Sequence, residues 1–237
     1  RLITQLRKMG VVTPIRDYPS LTLGAVEMSP LAVSRVFSSI ANDGVFQPLK
    51  AINAITTHDG LPVYENAKEV KKRVLSSKVA YLTRYAMAGV VSKGTAHVLG
   101  EAFPGTPMAG KTGTTNENKD AWFIGFSPDL VVGVYVGYDR PKNLGYKQTG
   151  SAVAVPIFRD FMKKAKINQN KIPFRIPSGI SFVKIDTKTG LQSNNKNAIL
   201  EPFLIGTEPF NRDIRTLDNL GSINNDVITG TGSLLIN

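Results

Sequence analysis
Within a chain of 237 residues, the segment Lys111-Thr112-Gly113-Thr114-Thr115 sets one ammonium group beside three hydroxyls. A cation next to hydroxyl donors is the combination that receives an anion or helps an oxygen give up its proton. The letters K-T-G are weak evidence alone, and the chain has a second copy, Lys188-Thr189-Gly190. That copy follows Ile185-Asp186-Thr187 and precedes Leu191, and it reads as a plain hairpin turn. The first copy lies on a strand ahead of two apolar strands, with Gly110 and Gly113 keeping side-chain bulk off its backbone around Lys111 and Thr112. Other reactive types are sparse. There is no cysteine, and the two histidines are His58 and His97, which removes thiol catalysis, Cys-zinc sites and Fe–S clusters and argues against a histidine-rich metal site. No metal and no cofactor are expected. His97 reads as a cap or surface residue, Asp120 as the closing residue of a turn, and Trp122 as sheet core rather than a ligand stacker. Glu101 and Glu117 have no spacing that suggests a glycosidase pair.

The elements that position this segment are legible from punctuation and period. Ser29-Pro30 caps a helix predicted over 30–43, with Val33, Val36, Phe37 and Ile40 on the core face and Arg35 and Asp43 off it. A second helix is predicted from 77 to about 92, its stripe being Val79, Leu82, Ala86 and Val90. Between them, AINAIT and LPVYE flank His58-Asp59-Gly60 and read as a hairpin. The stretch 107–139 reads as three antiparallel strands, two of them apolar nearly throughout, so helices should cover both faces of the sheet. SAVAVPIFRDFMKKA reads as a helix with Val153, Ile157 and Phe161 packed on the sheet, and Pro156 marks a start or kink. The first portion is placed at 1–166. Residues 167–237 read as an appendage, a small hairpin around FVKIDTKTGLQS and then a poorly ordered tail.

Composition bounds the rest. At 42% hydrophobic residues, a chain of this size builds a core without disulfides. Lys and Arg number 29 against 18 Asp and Glu, a net +11 that favours anionic neighbours. The densest positive stretches, 68–73 and 163–171, lack interleaved aromatic residues, so they read as solvated faces and no nucleic-acid partner is expected. The longest apolar run, 130–138, is far short of the ~18 residues of a membrane span.

The block GKTGTTNENKDAWFIGFSPDLVVGVYVGYD resembles the bifunctional, class A penicillin-binding proteins, more closely than it resembles the related serine β-lactamases. LGAVEMSPLAVSRVFSSIANDG, GTAHVLG, GSAVAVPIFRDFM and IDTKTGLQ extend the resemblance over about residues 21–190. It implies an α/β (α+β) fold, a central antiparallel sheet flanked by helices, incomplete at the N-terminus. It implies a D,D-transpeptidase that takes the D-Ala-D-Ala end of a peptidoglycan stem peptide through an acyl-serine intermediate, binds β-lactams, and works in the periplasm or on the outer face of a bacterial cytoplasmic membrane. Lys111 would help proton transfer at the serine. Thr112 and Thr114 would bind the substrate's carboxylate, the Thr114 N–H would be one oxyanion-hole donor, and Gly113 would let substrate lie along the strand.

In the family an S-x-x-K serine and an S-x-N serine both precede K-T-G; S-x-x-K is expected to be absent from the whole of residues 1–237, and no S-x-N falls ahead of Lys111. The acylated serine is therefore expected to be missing from this chain, Arg1 to be an entry point partway through the domain, and the serine-bearing part and any membrane anchor to lie upstream. The S-x-N strings at Ser193-Asn194-Asn195 and Ser222-Ile223-Asn224 read as turns. Two alternatives stand beside this reading: a non-catalytic cell-wall or regulatory protein that keeps the fold, and a D,D-carboxypeptidase or β-lactamase. Half a domain is also expected to leave the inner sheet face bare as a large apolar patch.

Overall fold
The computed structural model describes residues 1–66, 71–165 and 171–209. The expected poorly ordered tail, and parts of both lysine-rich stretches, lie outside them. The chain divides into two compact units, Arg1–Arg175 and Ile176–Asn237.

The first unit opens with a short helix α1 (Leu2–Lys8), which no cap or stripe announced. Helix α2 (Pro30–Ala41) starts where predicted: Ser29 Oγ accepts the N–H of Ala32 at 3.2 Å, and proline fills the first position. Strand β1 (Val45–Phe46) pairs with β4 (Lys72–Arg73), and between them β2 (Ala54–Thr56) and β3 (Pro62–Glu65) form the predicted hairpin, wholly exposed. Helix α3 (Ser77–Ser92) has both predicted ends, with the Ser76 hydroxyl as cap. Its buried side differs from the predicted stripe. Ala80, Tyr81, Arg84 and Val91 face inward while Val79 is 43% exposed. Arg84 causes the rotation, because its guanidinium donates to Ala41 O, Asp43 Oδ1 and Arg175 O, each at 3.1 Å. Arg35 also departs from its expected solvent position, donating to the carbonyl of Gly10 beside the Phe46 ring. The short helix α4 (Val98–Ala102), which was not predicted, follows; His97 precedes it, exposed and with no side-chain cap bond.

Strands β5 (Ala109–Thr114), β6 (Asp120–Phe126) and β7 (Val131–Gly137) form an antiparallel sheet in that order, with Lys111 opposite Ile124 and Gly113 opposite Trp122. Alternation along the strands puts Thr112, Thr114, Phe123 and Val134 on one face and Lys111, Trp122, Ile124 and Tyr135 on the other. The first face packs with Leu99, Met108, Phe158 and Met162. Phe123 meets Phe158 edge-on with centroids 4.9 Å apart. The second is covered by α2: Phe37 stands edge-on to Phe126, and a side chain at Gly133 would collide with Ser34 Oγ. The bare apolar face expected above is therefore not found. Phe123 and Phe126 are fully buried and Ile124 is 3% exposed.

A π-type turn, Gly150–Ala154, runs without a break into helix α5 (Val155–Ala165), the Val155 N–H donating to Gly150 O, so Pro156 falls just past the junction where the π turn passes into the α-helix. Here the predicted stripe is corrected. Val155, Phe158 and Met162 pack inward, while Ile157 and Phe161 are 51% and 47% exposed. Both stripes are apolar, so period alone could not choose between them, and the entry angle of the turn decides.

Burial pushes the phenol of Tyr81 up to about 12, with the neighbouring Tyr85 adding to the shift and Arg84 opposing it. The folded state then keeps a proton that the unfolded chain releases near pH 10. The stabilisation is complete below pH 10 and is lost as the pH rises to about 12. The denaturation midpoint is expected to fall over that interval, and Tyr81→Phe to flatten that part of the slope in pH-dependent denaturant titrations.

In the second unit, β8 (Ile180–Ile185) pairs along its length with β9 (Ile199–Leu204). The expected small hairpin around FVKIDTKTGLQS is thus corrected: only the bridge Ile185–Gln192 crosses the local turn, and the main partner lies further along the chain. Glu201 and Pro202 hid β9, since proline is tolerated at an edge position of a two-stranded sheet.

Candidate active site
The K-T-G-T segment occupies β5, an edge strand with no partner on its outer side among the described residues. The direction of its backbone groups follows from one bond. The N–H of Thr115 donates to Asp120 O across the sheet at 3.1 Å. In an antiparallel ladder residues alternate between facing the partner strand and facing away. Thr114 and Thr112 therefore turn their N–H and C=O groups to the open edge. Lys111 agrees with this: its exposed side chain reaches round the strand and Nζ donates to Thr112 O at 2.7 Å. An extended ligand added along the edge would find the Thr114 N–H as a donor, with an ammonium on one face of the strand and hydroxyls on the other.

Those hydroxyls are held from behind. Thr112 Oγ1 lies 2.8 Å from Thr95 Oγ1, in the turn between α3 and α4. Thr114 Oγ1 accepts the N–H of Gly150 at 3.1 Å. Only glycine fits at 150, because a Cβ there would stand 2.6 Å from Gly113 O and collide with Trp122 O as well. Ser151 Oγ donates to the carbonyl of Thr95, joining the two supports.

On the lysine face, Trp122 is half-buried and packs on Tyr135 with ring centroids 4.7 Å apart. Asp120 closes the turn as predicted. Its N–H donates to Thr115 Oγ1 at 2.8 Å, and its carboxylate accepts from Thr115 Oγ1 at 3.1 Å and from the Tyr135 hydroxyl at 2.9 Å. The bond to Asp120 holds the Tyr135 phenol above its usual range. Thr95, Gly150, Ser151 and Tyr135 were not singled out from the sequence. Segments 94–100 and 150–162 carried the family resemblance, but nothing in their spacing assigned a contact.

The second K-T-G is a turn. The amides of Thr189 and Lys188 donate to Asp186 Oδ1 and hold that carboxyl below its usual range. The expectation that S-x-x-K is absent needs correction, because two such strings follow Lys111: Ser181-Phe182-Val183-Lys184 and Ser193-Asn194-Asn195-Lys196. Neither has the geometry of a serine beside its lysine. On strand β8, Ser181 and Lys184 point to opposite faces, whereas on a helix a three-residue separation would bring them together. The Ser181 hydroxyl is bonded to Glu208. Ser193 accepts the Asn195 N–H at 3.2 Å in a turn. The string Ser222-Ile223-Asn224 lies outside the described residues.

Among the described residues no group of three or more His, Asp or Glu side chains could hold a metal ion, and no helix is long and apolar enough to cross a membrane.

The K-T-G-T segment thus lies on the open edge of a sheet that helices cover on both faces. The family described as the penicillin binding protein transpeptidase domain matches residues 13–163, and the chain belongs to that family. Penicillin-binding protein 1A of Rickettsia prowazekii is 31% identical over 95% of this chain, and the protein of the same name from Neisseria gonorrhoeae is 38% identical over 68%. The chain spans only 30% and 21% of those relatives. The crystal structure of penicillin-binding protein 1A from Haemophilus influenzae superposes with a TM-score of 0.79 at 27% identity, covering 87% of this chain and 36% of that one.

Proposed function
We propose that residues 1–166 are the C-terminal portion of a peptidoglycan D,D-transpeptidase domain, that 167–237 form an appendage, and that a segment outside this chain carries the nucleophilic serine. The reading rests on one observation: the open edge of β5 presents Lys111 beside the outward N–H of Thr114. In the reaction, the serine oxygen attacks the carbonyl of the penultimate D-Ala and its proton passes to a neighbouring base. The tetrahedral oxyanion is held by the Thr114 N–H and a second donor, the C–N bond breaks, and D-Ala leaves after taking up a proton. The amine of a neighbouring stem peptide then attacks the acyl ester, which releases the serine and forms the cross-link. Lys111 supplies positive potential for the proton transfers, and the hydroxyls of Thr112 and Thr114 receive the terminal carboxylate. The partners are stem peptides ending in D-Ala-D-Ala and β-lactams that imitate them, in the periplasm or at the outer face of the cytoplasmic membrane.

Intact-mass spectrometry after incubation with benzylpenicillin tests this. Residues 1–237 alone are expected to gain no mass, while the same residues joined to the serine-bearing segment gain one penicilloyl group. An adduct on the chain alone would place the nucleophile inside it, and no adduct on the joined protein would defeat the reading.

A further inference from the structure
We infer that Thr95 is a positioning residue: its hydroxyl donates to Thr112 Oγ1 and so frees the Thr112 proton for the substrate's carboxylate. The inference rests on the transpeptidase reading and deepens it. A threonine hydroxyl has one proton and two lone pairs. Had Thr112 given its proton to Thr95, it would show lone pairs to an incoming carboxylate and repel it. With Thr95 as donor across their 2.8 Å contact, the second lone pair and the proton of Thr112 remain available at the strand edge.

The neighbouring support obeys the same rule without ambiguity. A backbone N–H only donates, so the Gly150 amide fixes Thr114 Oγ1 as acceptor and leaves the Thr114 proton free. Both hydroxyls of the ribbon are thus backed by donors, and an anion meets two outward protons. Thr95 itself is fixed in place. Its carbonyl accepts from Ser151 Oγ, and its neighbours are tied by Ala96 N to Val90 O at 3.0 Å and His97 N to Gly94 O at 3.1 Å. The Thr95 side chain is exposed and belongs to neither core cluster, so removing its hydroxyl opens no cavity.

The test compares acylation of the complete transpeptidase, residues 1–237 with the serine-bearing segment, by benzylpenicillin and by its methyl ester, which lacks the anion. The readout is the ratio of the two second-order rate constants, which does not depend on the fraction of active protein. Thr95→Val and Thr95→Ala are each expected to lower the acid-to-ester ratio about tenfold, the scale of one hydrogen bond to a charged group. Thr95→Ser is expected to restore it to within about twofold. An unchanged ratio in the valine and alanine variants overturns the inference alone, as does a serine variant no better than alanine. If the unsubstituted enzyme is not acylated at all, the transpeptidase reading fails and the inference falls with it.

Discussion

Lys111→Ala is expected to slow acylation of the complete transpeptidase by penicillin by a factor of about 10² to 10⁴, the range typical of removing a group that assists proton transfer. The side chain is exposed, and its Nζ donates to Thr112 O, a bond that water can replace. The cost to folding should stay within about 0.5 kcal/mol, so a thermal melt of the variant should overlay that of the parent. Rate and stability thereby separate. Lys111→Arg keeps the charge but replaces a compact ammonium by a planar fork that does not give up its proton near neutral pH, and an intermediate rate is expected. The internal control is Lys188→Ala. It removes the lysine of the second K-T-G, whose backbone amide, not its ammonium, is the group bound to Asp186 Oδ1. Acylation should be unaffected there. Stopped-flow measurement with a fluorescent penicillin reads all three, and equal losses at positions 111 and 188 would show that the edge of β5 is not the reacting ribbon.

The sequence was most informative where local chemistry decides the structure. Ser29-Pro30 and Ser76 started α2 and α3 at the residues predicted, because a hydroxyl that accepts an otherwise unpaired N–H works through a span of three residues. The central sheet was readable because the runs of β6 and β7 are apolar on both faces and turn residues separate the three strands. What stayed hidden depends on partners distant in sequence. The inward faces of α3 and α5 were misread: one is set by an arginine whose acceptors come from residues 41, 43 and 175, the other by the turn that starts at Gly150. At the site, the K-T-G-T residues themselves were legible. The supports were not, since Thr95 and Thr112 are seventeen residues apart and Thr114 and Gly150 are thirty-six apart. A motif names the groups that touch substrate, whereas the bonds that aim those groups emerge only once the chain is folded.

Arg84→Ala is expected to be the most destabilising single substitution considered for this chain, at about 3–5 kcal/mol, the cost of removing one member of a buried charged pair. The Arg84 side chain is 3% exposed, and its guanidinium serves three acceptors at once: the carbonyls of Ala41 and Arg175 and the Asp43 carboxylate, each 3.1 Å away. It also lies over the rings of Tyr81 and Phe174, at 5.9 and 5.4 Å from their centroids. Alanine would remove these bonds and leave a cavity between α2, α3 and the segment that ends the first unit. The cost should be shared unequally between the partners. Asp43 is 27% exposed, so water can take over part of its solvation, and Asp43→Asn leaves both carbonyl bonds in place. That variant should lose only about 1 kcal/mol, close to one hydrogen bond. Arg84→Met separates packing from charge: its side chain fills much of the space but cannot satisfy the carbonyls, so an intermediate loss is expected. Urea denaturation of the four proteins orders them as parent, Asp43→Asn, Arg84→Met, Arg84→Ala. A reversal of the two arginine variants would mean that the cavity is filled by relaxation and that the unpaired acceptors are reached by water, in which case Arg84 is a replaceable surface contact and α3 owes its rotation to Tyr81 and Val91 alone.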